Sequence, residues 1–308
     1  MNYYEALTQY ADAVGLEPGD TSYFSESEGN LDPRLFNGAT LSPVVREAIL
    51  VLLKNHLELG YNEPLAWIKI FLAGSGVSFN WKAHRSPADL DCLVSVDYVQ
   101  FRQSNQEYKG WSDREIAAEL NQGFKNELHP RTGDFMVDFE LTFYVNPNSN
   151  IAELKPYAAY SVLDNTWVVP PTSLEAPTDQ EWVSATERDK VKAVEIVKRY
   201  STALDQIKAA ANDAMRINAE AALAVAVQQG AAMFEDIHSS RSNAFSPSGA
   251  GYADFANYRW QAGKQSGVVP ALKKIHSMSK EASERFSKET YGIELPDTST
   301  LLRRTMRK

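Results

Sequence analysis

The sequence predicts an α+β protein: a mixed β-sheet with flanking helices, followed by an α-helical domain. Three observations carry this. The apolar stretches Ile68–Ala73 and Leu90–Val96, and an alternating run that ends at Val145, have strand character. Helical patterns stand before and between them, as a sheet covered by helices requires. From about Asp179 the apolar residues recur in steps of three and four, which is the helical period. A connector containing Pro147, Pro156, Pro170, Pro171 and Pro177 separates the two regimes. Domains are expected at 1–174, including the N-terminal helices, and at 175–308, with a soft boundary near Pro171 to Pro177.

In chain order, residues 1–20 read as a short amphipathic helix stopped by Gly15 and Pro18. Residues 21–40 are rich in Ser, Gly, Asp and Asn and read as a loop. Ser42 and Pro43 suit the N-cap and first position of a second helix. Its stripe is Val45, Ile49, Leu52, Leu53 and Leu57, it ends at Gly60, and it is expected to pack on the sheet. Strand Ile68–Ala73 then runs into Gly74-Ser75-Gly76, and a second strand starts near Asp89. Ser112 and Glu115 form a capping box for a helix whose inner side is Ile116, Leu120 and Phe124. Asp134–Val145 alternates like a half-buried strand, with Val137, Phe139, Leu141 and Phe143 on one face. Trp167–Val169 suits an added edge strand. A helical region follows from Asp179 to Phe234, then a loop over 238–251, and helices over Tyr252–Ala262 and Val269–Phe286. The last eight residues hold four cations and read as a frayed tail.

Composition narrows the function. The chain has 308 residues and a net charge of −9, so it repels nucleic acid at long range. Any nucleic-acid substrate would have to meet a local basic patch. A single cysteine, Cys92, excludes an internal disulfide framework and a multi-thiolate zinc site. No run of eighteen apolar residues exists, and the N-terminus lacks the basic start and apolar core of a signal peptide. A cytoplasmic setting is the expectation.

The chemistry concentrates in Ile68–Asp91. Side chains alternate along a strand, so Asp89 and Asp91 point one way while Leu90, Cys92, Val94 and Val96 point the other. Two parallel carboxylates repel unless a cation sits between them. Hard oxygen ligands of this kind suit Mg²⁺, which takes one or two carboxylates plus substrate phosphates. The Gly74-Ser75-Gly76 turn can cradle a phosphate with its amides and the Ser75 hydroxyl. A third acid is expected on the later strand, where Asp138 and Glu140 share a face with Thr142.

Gly74-Ser75, thirteen intervening residues, Asp89-Leu90-Asp91, and then Val137-Asp138-Phe139 together resemble the polymerase-beta-type nucleotidyltransferase superfamily. The resemblance covers roughly Leu65 to Val145. Many members place Ser directly before the first acid, whereas Ser86-Pro87-Ala88 stands there in this chain. The resemblance implies a nucleotidyltransferase-like sheet with a helical module beside it. It implies a nucleoside triphosphate substrate such as ATP, and Mg²⁺ or Mn²⁺ held by Asp89, Asp91 and Asp138. Asp138 is favoured over Glu140 as the third acid because Val137 and Phe139 flank it as in the family. The implied reaction moves NMP to a hydroxyl acceptor and releases pyrophosphate. Acceptors across the superfamily include tRNA and other RNA ends, nucleotides, small molecules and protein side chains, and nothing in these residues selects among them.

Other candidates are weighed against plainer readings. Lys82, His84 and Arg85 are candidates to steady a triphosphate or pyrophosphate, or are solvated loop charges. Tyr258 or Trp260 could stack on a base and Lys264 could meet a phosphate, against an ordinary helix with core aromatics and surface cations. Arg188, Lys190, Lys192, Lys198 and Arg199 read as a solvated helix face. His238 and His276 have no evident partner in the sequence. Two rival functions are a metal-dependent glycosyltransferase, which also uses acid–x–acid, and a non-catalytic binding or assembly protein on a degenerate transferase fold. The glycosyltransferase needs neither the upstream Gly-Ser nor Asp138, and the intact acids argue against the degenerate fold.

Overall fold

The structure, a computed structural model, describes residues 3–19, 21–81, 88–145, 151–173, 175–246 and 248–292. The chain divides into two units, Ser22–Glu175 and a helical unit made of Met1–Thr21 with Ala176–Asp297. The first helix, α1 (Tyr3–Tyr10), was expected with the sheet but belongs to the helical unit. Its Ala6 and Leu7 are buried in one apolar cluster with Tyr200, Leu223 and Ile275.

The sheet unit opens on a two-stranded ribbon, β1 (Phe36–Asn37) and β2 (Thr40–Leu41). Next come α2 (Pro43–Leu57) and the short α3 (Pro64–Trp67). Pro43 fills the first turn of α2, where its missing N–H costs nothing, but the Ser42 side chain makes no capping bond. The main sheet then begins with β3 (Ile68–Ala73) and β4 (Ala88–Val96). Between β4 and the next strand lie α4 (Tyr98–Ser104) and α5 (Asp113–Gly123). Both halves of the Ser112/Glu115 capping box are formed. Strands β5 (Phe139–Val145), β6 (Ala159–Ser161) and β7 (Thr166–Val169) complete the sheet in the order β5-β4-β3-β6-β7. Only β4 and β5 run parallel, so the sheet is mixed, and β7 is the edge strand that Trp167–Val169 suggested.

The core lies on one face of this sheet. Val45, Ile49, Leu53 and Leu57 of α2 meet Ile70, Leu72, Leu90, Cys92 and Val94 there, with Ile116, Leu120 and Phe124 beside them. On the opposite face Phe71 and Ala73 join a smaller cluster with Ile151 and Leu154. Burial raises the Cys92 thiol well above its ordinary pKa, with Asp91 a lesser cause, so the thiol stays neutral and acts as packing.

The strand expected over Asp134–Val145 starts only at Phe139. Met136 and Val137 adopt φ of 49° and 71°, and the Val137 N–H bonds to the Asp134 carbonyl. This tight loop turns Val137 out to 82% exposure, so it does not share the face of Phe139. Alternation holds only while the backbone stays extended.

In the helical unit the predicted run from Asp179 is two helices, α6 (Gln180–Lys208) and α7 (Asp213–Ala244). Asn212 caps the second by accepting the Met215 N–H. The loop expected from residue 238 begins only after Ala244. Burial of Ile237 and Ala244 outweighs the weak helix propensity of the Ser- and Asn-rich stretch. Two further helices follow, α8 (Phe255–Gln265) and α9 (Val268–Tyr291). His276 has a partner after all, since its Nε2 lies 2.8 Å from Glu235. Among the described residues no helix is long and apolar enough to cross a membrane.

Candidate active site

The acid pair sits where the sequence placed it. Asp89 and Asp91 lie on β4, on the face opposite Leu90 and Cys92, whose side chains are buried in the core. Asp91 stands opposite Ala73, the last residue of β3. The chain leaves β3 through Gly74, whose φ of 84° and ψ of −167° are open essentially to glycine alone. A Cβ at Gly74 would stand 2.9 Å from Asp91 Oδ2, and one at Gly76 would stand 3.0 Å from the Asp89 carbonyl oxygen. Residues Ser75–Val77 form a single 3₁₀ turn, closed by the Ser78 N–H and hydroxyl on the Ser75 carbonyl. The small-residue turn and the acid pair are therefore in direct contact, two strands having brought them together.

The parallel neighbour β5 supplies further oxygens. Its register sets Glu140 beside Asp89 and Thr142 beside Asp91. The Thr142 hydroxyl donates to Asp91 Oδ1 at 3.2 Å. Asp138 stands one residue before β5, and its carbonyl accepts the Ala88 N–H at 2.8 Å. Glu140 is exposed, whereas Asp138 is half-buried.

Ser75, Gly76 and Asp89 line a pocket together with Ser22, Asp32, Arg34, Trp81, Ala88 and Phe139. The Asp32–Arg34 pair escaped the sequence reading, which passed over residues 21–40 as loop. An Asp that opens a turn with an Arg two residues on was the signal available there. Asp32 Oδ1 accepts the Arg34 N–H at 2.9 Å, and the same carboxylate grips the guanidinium at 2.6 to 3.1 Å. Hydrogen bonding to Asp32 is the main reason the Arg34 pKa is raised, with Asp138 adding a weaker attraction.

The fit to a divalent cation can be judged from these donors. Among the described residues no three His, Cys, Asp or Glu are grouped closely enough to hold one ion, so the structure does not bring Asp138 together with Asp89 and Asp91 into the three-acid site expected from the sequence. Two carboxylates on one face with a hydroxyl alongside do fit Mg²⁺ of the kind completed by substrate phosphates and water. Lys82 and Arg85, with His84 and Ser86, lie outside the described residues. Lys264 belongs to the helical unit, in the last turn of α8, where its carbonyl accepts the Gly19 N–H at 2.8 Å. Tyr258 is buried, its ring 5.3 Å from that of Trp182, so it packs the helical unit and does not present a stacking face.

A larger cavity of about 370 Å³ lies within the helical unit among Asp189, Glu195, Arg199, Asp236 and Arg259. Arg259 is bound there by Asp189 and Asp236, and Arg199 by Glu195. The cavity is lined by these ion pairs together with Lys192. The smaller pocket is the one that Ser75, Gly76 and Asp89 line, with the Asp32–Arg34 pair in the same lining.

Fold and site together define an α+β chain with a paired-acid strand beside a glycine turn, joined in sequence to a helical unit. No protein family, no characterised protein and no solved structure matches the chain.

Proposed function

We propose that the chain is a Mg²⁺-dependent nucleotidyltransferase of the polymerase-beta type, using an NTP such as ATP and releasing pyrophosphate. The observation that carries the reading is the contact between Gly74 and Asp91, which sets a glycine turn with small side chains against a strand that carries two same-face carboxylates. Asp89 and Asp91 would hold Mg²⁺, which when bound neutralises charge on the attacking and leaving oxygens. Thr142 fixes the Asp91 carboxylate through its hydroxyl, leaving Oδ2 turned toward Gly74. The Ser75 hydroxyl and neighbouring amides orient the β- and γ-phosphates. An acceptor oxygen attacks the α-phosphorus, its proton passing to the Asp138 carboxylate. The bond from that phosphorus to the bridging oxygen breaks, and pyrophosphate leaves. No covalent enzyme intermediate is required.

The test is incubation with each α-labelled NTP, Mg²⁺ or Mn²⁺ and a cell extract, followed by locating the label and assaying pyrophosphate. Label on an acceptor with equal release of pyrophosphate supports the reading. Release of a nucleoside diphosphate from a nucleotide sugar, or no transfer with any NTP, overturns it.

A further inference from the structure

Asp32 is a carboxylate with only 2% of its side chain exposed, and an isolated buried charge of this kind is costly. Its compensation is local, since it takes the backbone N–H, Nε and one terminal nitrogen of Arg34. The guanidinium is also held flat. Its central carbon lies 4.7 Å from the Phe139 ring centre and 5.8 Å from that of Trp81. One edge of the fork is thus fixed by Asp32 and one face by Phe139. The second terminal nitrogen is not engaged by that carboxylate, and the Arg34 side chain remains 26% exposed. Arg34 borders the same pocket as Ser75, Gly76 and Asp89.

A planar cation braced on two sides suits bidentate or end-on recognition of phosphate oxygens, with little rotamer entropy left to lose. An Arg whose sole task was to neutralise Asp32 would need neither the ring beneath it nor a place on the pocket wall. Asp32 and Asp89 make the lining acidic, so phosphate oxygens beside Ser75 and Gly76 would meet a cation only at Arg34 among the described lining residues.

We propose that Arg34 is the phosphate-binding cation of this pocket, and that Asp32 and Phe139 are positioning residues that aim its free edge at the β- and γ-phosphates. This rests on the nucleotidyltransferase reading, and the experiment separates the two. Inorganic tripolyphosphate with Mg²⁺ is titrated calorimetrically into the full chain, into Arg34→Gln and into Arg34→Lys. NTP turnover is measured in parallel, and thermal melting reports folding. Binding is expected to weaken about ten- to a hundredfold in Arg34→Gln, the worth of one or two charge-assisted hydrogen bonds, and less in Arg34→Lys. The KM for NTP should rise by a similar factor, with kcat falling less. Asp32→Asn keeps the cation and loosens its aim, so it should weaken tripolyphosphate binding without abolishing it. Tripolyphosphate bound equally by wild type and a folded Arg34→Gln overturns the proposal while leaving the function standing. Tripolyphosphate binding that depends on Arg34 in a chain that turns over no NTP sinks the transferase reading and keeps the anion site. No binding by the wild type overturns this proposal.

Discussion

Gly74 and Asp91 are so close that a single methyl group on Gly74 would meet Asp91 Oδ2 at 2.9 Å. The strand β4 that carries the acid and the turn that follows β3 were built into one surface by antiparallel pairing, with Ala73 opposite Asp91. Gly74→Ala should therefore act twice. The backbone conformation at φ 84° is closed to a Cβ at a cost of about 1–3 kcal/mol, and the carboxylate must also swing aside. A lowered melting temperature together with loss of turnover is expected. Full turnover in this variant would show that the turn does not shape the site.

Asp89→Ala and Asp91→Ala should each abolish Mg²⁺-dependent turnover and leave the far-UV circular dichroism unchanged. Both carboxylates sit on the face away from the main core, and removing one relieves repulsion between like charges. Thr142→Val, which deletes only the hydrogen bond to Asp91, should cost far less, about tenfold. Unchanged turnover in both Asp variants would refute the site.

Asp138→Asn and Glu140→Gln separate the two candidate third acids. Asp138 lies next to Phe139, holds Ala88 through its carbonyl, and both of those neighbours line the pocket. Glu140 is paired with Asp89 but is exposed to solvent. A loss of about a hundredfold or more is expected for Asp138→Asn and a loss below about tenfold for Glu140→Gln, as for a positioned acid–base group against a bystander. The opposite order in kcat/KM would assign the role to Glu140.

Gly230→Ala in α7 tests packing in the helical unit. In an open helix this change stabilises by about 1 kcal/mol, because glycine is the poorer helix former. Here the new Cβ would stand 2.8 Å from Ile275 Cγ2 of α9, which is buried and has little room to move. Overpacking of this kind costs about 1–3 kcal/mol, so the sign should reverse and the melting temperature should fall. Ile275→Ala removes both Cγ2 and Cδ1, the atoms 2.8 and 3.2 Å from the new Cβ, so Gly230→Ala should cost less in an Ile275→Ala background than in the wild type.

His56 gives a pH dependence. It is buried in the last turn of α2 against Phe124, ring centres 5.6 Å apart, and its Nδ1 has no partner among the described residues. Burial is the main cause that lowers its pKa from 6.5 in the folded chain. The unfolded chain then binds the proton more readily, so stability falls as pH drops through about 6.5. Chemical denaturation at pH 7.5 and at pH 5.5 should show this loss, and His56→Phe should flatten it. An unchanged slope in that variant would place the dependence elsewhere.

Much of this protein was determined by local sequence. The Ser112 capping box, the apolar stripe of α2, the edge strand at Trp167 and the opposed faces of β4 follow from short-range rules, because each depends on side chains within a turn or a pleat. Acid–x–acid on one face was legible for the same reason. Other features were decided only by tertiary structure. Val137 breaks its alternation because a tight loop puts its backbone in the left-handed region. The helix α7 runs on to Ala244 because Ala244 is buried and Ile237 is buried in one cluster with Ala193 of α6 and Val269 and Leu272 of α9. The first helix joins the helical unit, since contacts across more than two hundred residues cannot be read from a local pattern. Parallel pairing set Thr142 on Asp91, and chain folding carried Asp32 and Arg34 into the lining of the pocket that Ser75 and Asp89 also line. Periodicity fixes which way a side chain faces along its own element. Which side chain it then meets is settled by the burial of the whole core.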